Sequence, residues 1–219
     1  YDPSRKADPK DYSLMDRWAL SKLNGLVKQV DQGLAQYKIT ETARAIAAFV
    51  DELSNWYVRR CRERFWGKGL EGDKLAAFET LYTVLVTLAG LLAPYIPFMT
   101  ETMYQNLVVG VRPDAPESVH LTDFPQADES LIDEALNQRM ERVIDIVSLG
   151  RAVRNTANMK VRQPAAALYV KGEDLPQDLV ALIQDELNVK QVNFVQDVSG
   201  FTTYQLKPQM RTLGPRYGK

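Results

Sequence analysis

Four arginines, Arg59, Arg60, Arg62 and Arg64, fall within six consecutive positions, and Trp56, Tyr57, Phe65 and Trp66 flank them. Guanidinium groups grip phosphate bidentately and stack on bases, and aromatic rings supply the sequence-tolerant stacking used on unpaired nucleotides. On a helix, Arg60 and Arg64 project together while Arg59 and Arg62 share an adjacent face. A plainer reading stays open: Trp56 and Phe65 are core, and Glu52 and Glu63 neutralise the arginines on a solvated helix face. A second basic stretch, Arg151, Arg154, Lys160 and Arg162, has Asn155, Asn158 and Gln163 among it. It suits backbone phosphate contacts or a merely solvated junction. A third, Lys207, Arg211, Arg216 and Lys219, lies in a Gly- and Pro-containing tail that could order on a partner.

Other chemistries lack their parts. With His120 and Cys61 the sole residues of their types, a metal site of histidine and cysteine is excluded, and no Asp-rich loop has calcium-site spacing. No metal site is expected. Gly67, Gly69 and Gly72 lack the Lys-Ser/Thr of a phosphate loop and the strand before it, so they read as a turn. Cys61 lies among arginines that would favour its thiolate, yet no second cysteine or histidine is near, and it reads as a bystander on a helix. His120 has only Asp123 nearby and is better assigned to packing than to general-base work. A hydrolase would need a nucleophile–base pair that one His and one Cys do not supply.

The composition, 45% hydrophobic and 25% charged with a net charge of −1, predicts a chain that folds. Any nucleic-acid surface must come from local clustering. The single cysteine fits a reducing compartment, and the expected location is the cytoplasm. The apolar stretch Leu81 to Met99 is broken by Thr83, Thr87, Gly90, Pro94 and Pro97 and reads as core, not as a membrane span. The chain opens YDPSRKADP, without an initiator methionine, like a linker cut in mid-protein.

Helical spacing organises the first half. Leu20, Leu23, Val27, Val30, Leu34 and Tyr37 form one stripe of a helix capped by Ser13. A second helix capped by Thr40 carries Ile46, Phe49, Val50, Leu53, Trp56 and Tyr57 towards Trp66. Asp73 caps a third with Leu75, Phe78, Tyr82, Leu85, Leu88 and Leu92, and Pro97 starts a fourth that runs to about Val109. Residues 110–124, with an extended-looking Ser118 to Leu121, read as a wrapping loop. Asp128 opens a long helix through Leu131, Ile132, Leu136, Met140, Val143, Val147 and Val153. Beyond Asn155, Ala167–Val170 reads as a strand, Leu179–Leu187 as a helix, and Val189–Val195 and Phe201–Leu206 as two strands around a Ser199-Gly200 turn.

The predicted fold is mainly α: an antiparallel helical bundle followed by a long helix and a small α+β module. The expected divisions are a linker over 1–12, the bundle over 13–125, a long connecting helix over 126–157, the α+β module over 158–207 and a tail over 208–219.

DRWALSKLNGLVKQV (16–30) and ARAIAAFVDELSNWYVRRCRERFW (43–66) resemble the start of the anticodon-binding helical domain of isoleucyl-tRNA synthetases. The arginine-rich continuation ending in Phe-Trp is the more specific part, since related valine enzymes share only the Asp/Asn-Trp-Tyr. LLAPYIPFMTETMYQNL (91–107), SVHLTDFP (118–125), VRQP (161–164), ELNVKQV (186–192) and LGPRYGK (213–219) match in the same order and extend the resemblance over most of the chain. It implies an intact class I enzyme that ligates isoleucine to its tRNA using ATP and Mg, with catalytic and editing domains preceding this piece and further structure after it. Neither ATP signature is carried over. One needs a His-x-Gly-His-like pair, and the other, a Lys-Met-Ser-Lys-Ser-like loop, should lie just upstream of residue 1. The piece itself is expected to have no catalytic residue and no cofactor, to take tRNA as partner without a membrane, and to act as a monomer. Its candidate tRNA-binding residues are Arg59, Arg60, Arg62, Arg64, Trp66, Arg154, Lys160 and Arg162. The rival from another class is a helical interaction module that buries Trp56 and Trp66 against a protein.

Overall fold

The computed structural model describes residues 1–197 and 199–200. The chain divides into two compact units, Tyr1–Gln138 and Arg139–Lys219. The expected strand over 201–206 and the basic tail with Lys207, Arg211, Arg216 and Lys219 lie outside the described residues.

The first unit is built on α1 (Leu14–Ala35), which opens with a reciprocal capping box. Ser13 Oγ accepts from the Asp16 amide at 3.2 Å and Asp16 Oδ2 accepts from the Ser13 amide at 2.8 Å, so two N–H groups with no helical partner are satisfied at once. Trp18, Leu23, Val27 and Val30 are buried on its inner face. The stripe does not reach Tyr37, which lies past the end of α1 and is 88% exposed.

α2 (Ile39–Glu52) starts without a side-chain cap, so the cap expected at Thr40 is not formed. The helix widens into a π turn over Leu53–Val58 and, after a turn at Cys61, ends as α3 (Arg62–Trp66). In the wide turn the Arg59 amide bonds to the Ser54 carbonyl, five residues back. The extra residue lets Leu53, Trp56 and Tyr57 all face the core, as the apolar pattern requires. Val50, expected on that face, is exposed.

α4 (Gly72–Leu92) packs against α1, α3 and α5 (Pro97–Tyr104), the last continued by a second π turn over Gln105–Val109. By length and composition α4 could cross a membrane, but half of its most apolar window is buried inside this fold. Its buried face also holds Glu79 and Thr80. The segment 110–124 folds back onto α5. The Glu101 carboxylate accepts from Ser118 Oγ at 2.8 Å and from the Val119 amide at 3.1 Å, and Val119 inserts beside Ala93, Tyr104 and Val108. The stretch expected to be extended is therefore a 3-10 turn, Val119–Leu121. His120 is exposed on it, and its neighbour does the packing.

Asp128 caps a short 3-10 turn, Glu129–Leu131, instead of the long helix. That helix, α6 (Glu134–Thr156), begins after Asp133, whose Oδ1 accepts from the Leu136 amide at 2.9 Å. Side chains of α1 fix this approach: Asn24 Oδ1 and Ser21 Oγ each accept a backbone N–H, from Asp128 and Asp133, at 2.8 Å. α6 continues into the second unit, where Met140, Val143 and Val147 are buried and Val153, expected on the same face, is exposed.

In the second unit β1 (Ala165–Lys171) and β2 (Val189–Val195) pair in parallel, with Ala165 opposite Val189 and Lys171 opposite Val195. A parallel pair needs a crossover, which α7 (Gln177–Leu187) supplies while burying Leu179, Val180, Ile183 and Leu187. Asn188 ends α7 at φ +49°, a left-handed conformation that asparagine tolerates, and the chain enters β2 directly.

A Cβ at Gly90 of α4 would lie 2.7 Å from Cγ of Pro125, a ring that cannot rotate away. Gly90→Ala is expected to destabilise the chain by about 1–3 kcal/mol through overpacking. Gly25→Ala on α1, with nothing within 4 Å, should stabilise it by ~0.5–1 kcal/mol. Urea unfolding midpoints check both.

Candidate nucleic-acid interface

The arginine cluster is divided by burial. Tyr57, Cys61 and Arg64 follow one another at helical spacing on the inner side of the α2–α3 rod, and Tyr57 and Cys61 are buried. Arg64 therefore points into the bundle, where Asp16 of α1 is wholly buried. Arg64 Nη2 and Nη1 donate to the two oxygens of Asp16 at 2.6 and 2.9 Å. Its Nε donates to Asp73 Oδ2 at 2.9 Å, Nη2 to the Asp73 carbonyl at 2.9 Å and Nη1 to Ser13 Oγ at 3.1 Å. All five N–H groups are thus engaged. The Asp16 carboxylate also accepts from the Tyr57 hydroxyl at 2.6 Å and from Ser13. A buried ion pair is tolerable when its remaining lone pairs and protons are satisfied in this way. The candidate role of Arg64 in gripping phosphate is corrected accordingly: the guanidinium ties α1, α3 and α4 together and has no donor to spare.

Burial would raise the pKa of Asp16, but the hydrogen bonds from Arg64, Tyr57 and Ser13 outweigh it and hold the carboxyl below its ordinary range. Burial and the adjacent Asp16 carboxylate push the Tyr57 hydroxyl up. For Arg64, the hydrogen bonds to the two aspartates overcome the cost of burial and raise its pKa, so it stays charged. Cys61 sits as the bystander the sequence suggests, and the neighbouring arginines do not favour its thiolate. Burial raises its pKa despite the Arg64 hydrogen bond, which leaves a neutral buried thiol.

The outer side of the rod is different. Arg59 and Arg62 are exposed and Arg60 is half-buried. Arg59 Nε donates to the Asn55 carbonyl at 2.9 Å, which steadies the side chain against the helix. The Arg62 guanidinium lies 5.4 Å from the ring centroid of Trp66, a ring that remains 75% exposed. Trp56, by contrast, is core, and Phe65 sits edge-on to Tyr57 and Phe78. The structure adds Lys68, which the sequence reading did not single out. It is exposed in the turn that follows Trp66, and its closeness along the chain was the available signal.

In the second unit Arg154 is buried, and its guanidinium donates to three backbone carbonyls, of Lys160 (3.2 Å), Gln163 (2.9 Å) and Asn188 (3.1 Å). The sequence made Arg154 a backbone-following contact for RNA. Instead it braces the segment after α6 from within. Arg151 pairs with Glu186 at 2.5 Å. Lys160 and Arg162 are exposed on the braced segment, which the Asn188 side chain also holds by donating to the Val161 carbonyl at 3.0 Å.

The exposed basic and aromatic side chains are equipped to bind a phosphodiester chain with unpaired bases, and the helical bundle is the frame that presents the first group. The chain belongs to the family described as the anticodon-binding domain of tRNA ligase, whose model matches residues 16–170. Among its relatives are isoleucine–tRNA ligases. That of Clostridium novyi is 47% identical over 219 residues, covering the whole chain and 21% of the relative. That of Clostridium acetobutylicum is 49% identical over 98% of the chain, and that of Thermobifida fusca 47% over 96%. The chain spans about a fifth of the length of these curated relatives.

Replacing Arg64 by Met strands a buried carboxylate and should cost ~3–5 kcal/mol, read as a lower urea midpoint. The pKa of Asp16 is depressed on folding. Its contribution is therefore complete above the unfolded value near pH ~4 and lost as pH falls through the lower folded value. Unfolding followed from pH 6 to about pH 2 should show a steep loss below about pH 4 that Asp16→Asn, already destabilised, largely lacks.

Proposed function

We propose that this chain is the anticodon-side docking part of an isoleucine–tRNA ligase, the intact protein joining isoleucine to its cognate tRNA with ATP and Mg. The observation that carries the reading is the exposed pair Arg62–Trp66 beside Arg59 on a bundle of the anticodon-binding family. Arg59, Arg60 and Arg62, with Lys68, grip phosphate, Trp66 offers a stacking face, and Lys160 and Arg162 follow the backbone. Arg64 and Arg154 contribute by holding these elements in place.

Bond-making belongs to the rest of the ligase. Among the described residues no group of three or more His, Cys, Asp or Glu side chains could hold a metal ion. The glycines after Trp66 make a turn with no phosphate-binding Lys-Ser/Thr, so that loop does not fit the phosphates of ATP. The ligase works in the cytoplasm as a monomer, and the catalytic and editing domains of the same polypeptide are this chain's other partners.

In the full-length ligase, Arg59→Ala with Arg62→Ala should raise KM for tRNA roughly tenfold or more, since a hydrogen bond to a charged group is worth ~1.5–3 kcal/mol. Isoleucine-dependent pyrophosphate exchange should be unchanged. The salt dependence of tRNA binding should also flatten by about one log unit per lost phosphate contact. Unaltered tRNA affinity and salt slope in the double variant would remove the cluster from the interface.

A further inference from the structure

Glu79 sits on the buried face of α4, and among the described residues its partners all come from the segment 1–12. Its Oε2 accepts from the Ala7 amide at 2.8 Å, its Oε1 pairs with Lys6 Nζ at 2.9 Å, and the Tyr12 hydroxyl also stabilises the carboxylate. Burial would raise the pKa of Glu79, but these three groups outweigh it and hold the carboxyl below its ordinary range. An apolar residue of similar length would support α4 as well or better, since a buried charge is tolerated only while its partners satisfy it. What the carboxylate adds is a fixed place for residues 1–12.

The same segment is tied at two further points. Arg5 Nη2 donates to the Leu70 carbonyl, just before α4, at 2.7 Å. The Tyr1 ring packs against Phe78 and Tyr82, which follow one another at helical spacing on α4, with centroids 6.0 and 5.5 Å away. Phe78 is shared, because Phe65 of α3 meets it edge-on at 5.4 Å, and the residue after Phe65 is Trp66. Thus α4 is a common floor for the segment 1–12 and for the end of the rod that presents Arg62 and Trp66. The Lys6 side chain stays 72% exposed and Tyr1 is exposed as well, so this segment is held at the rim of the bundle and not in its core.

We infer that Glu79 is a positioning residue for the charging reaction, a clamp that fixes residues 1–12 and through them the orientation of the bond-making domains towards a tRNA docked on the arginine face; this rests on the docking reading above, in which those domains come before residue 1. A tRNA held by the bundle meets the reacting groups only while the two parts keep one orientation, and a misplacement of about 1 Å can cost ~100-fold in rate. Releasing the segment therefore slows the reaction of docked tRNA and leaves docking itself intact.

In the full-length ligase, Glu79→Met removes the acceptor and keeps the packing. The charging rate at saturating tRNA, kcat, should fall about ten- to hundredfold. KM for tRNA and isoleucine-dependent pyrophosphate exchange should be unchanged. In the 219-residue chain the same variant should keep its melting temperature and its tRNA affinity, while the Ala7 amide exchanges faster with solvent. Lys6→Glu sets a like charge against Glu79 from an exposed position and should lower kcat too. Added to Glu79→Met, where the repulsion is gone, it should cause no further loss. Glu79→Gln, which still accepts from Ala7, should fall between Glu79→Met and the wild type. An unchanged kcat in Glu79→Met, or a loss matched by equal losses in exchange and in melting temperature, overturns the inference and leaves the docking reading standing. A wild-type chain that does not bind tRNA overturns the docking reading itself, and this inference with it.

Discussion

The bundle depends on one buried carboxylate being fully satisfied. Asp16 begins in the capping box of α1 and finishes as the acceptor for Arg64, Tyr57 and Ser13, and Arg64 reaches on to Asp73, so the start of one helix, the end of a second and the start of a third are fixed around a single ion pair. An ion pair of this kind gives little net stability relative to apolar packing, but breaking it leaves a charge in the interior. Its value is therefore positional. With Arg64 held inward, the helical repeat compels Arg59, Arg62 and Trp66 to face water, and the basic surface follows from the buried contact.

The second unit repeats the arrangement with different chemistry. Arg154 meets three carbonyls instead of carboxylates, and through them it shapes the segment on which Lys160 and Arg162 are displayed. In both units one arginine is spent inside so that others are presented outside. A guanidinium suits the inner role because its planar fork offers five donors in fixed directions, which a lysine ammonium cannot match.

Much of the fold was legible in the sequence, because apolar residues at three- and four-residue steps mark helices directly. The Ser13 cap, the glycine break after Trp66 and the start at Pro97 were all readable. The beginning of α6 was misplaced because Asp128 is a good cap in the abstract, while the true start is fixed by Ser21 and Asn24, more than a hundred residues earlier in the chain. The candidate site was less legible. Composition marks Arg59 to Arg64 as one basic block, whereas its inward and outward members differ through tertiary partners. Arg64 could have been suspected from its spacing to Tyr57 and Cys61. No local pattern shows that Arg154 is buried, since its partners are backbone atoms. Tyr37 fell on the helical stripe by arithmetic, and only its backbone conformation sets it apart.

The π turn over Leu53–Val58 amounts to a one-residue insertion accommodated without breaking the helix. Tightening that turn to regular α-helix while keeping all its residues would swing everything downstream by about 100° around the axis. Arg64 would leave Asp16, and a different set of side chains would take its place beneath the basic surface. Which side chains this rod turns outward is thus set by one wide turn, and substitutions at the surface cannot reproduce it.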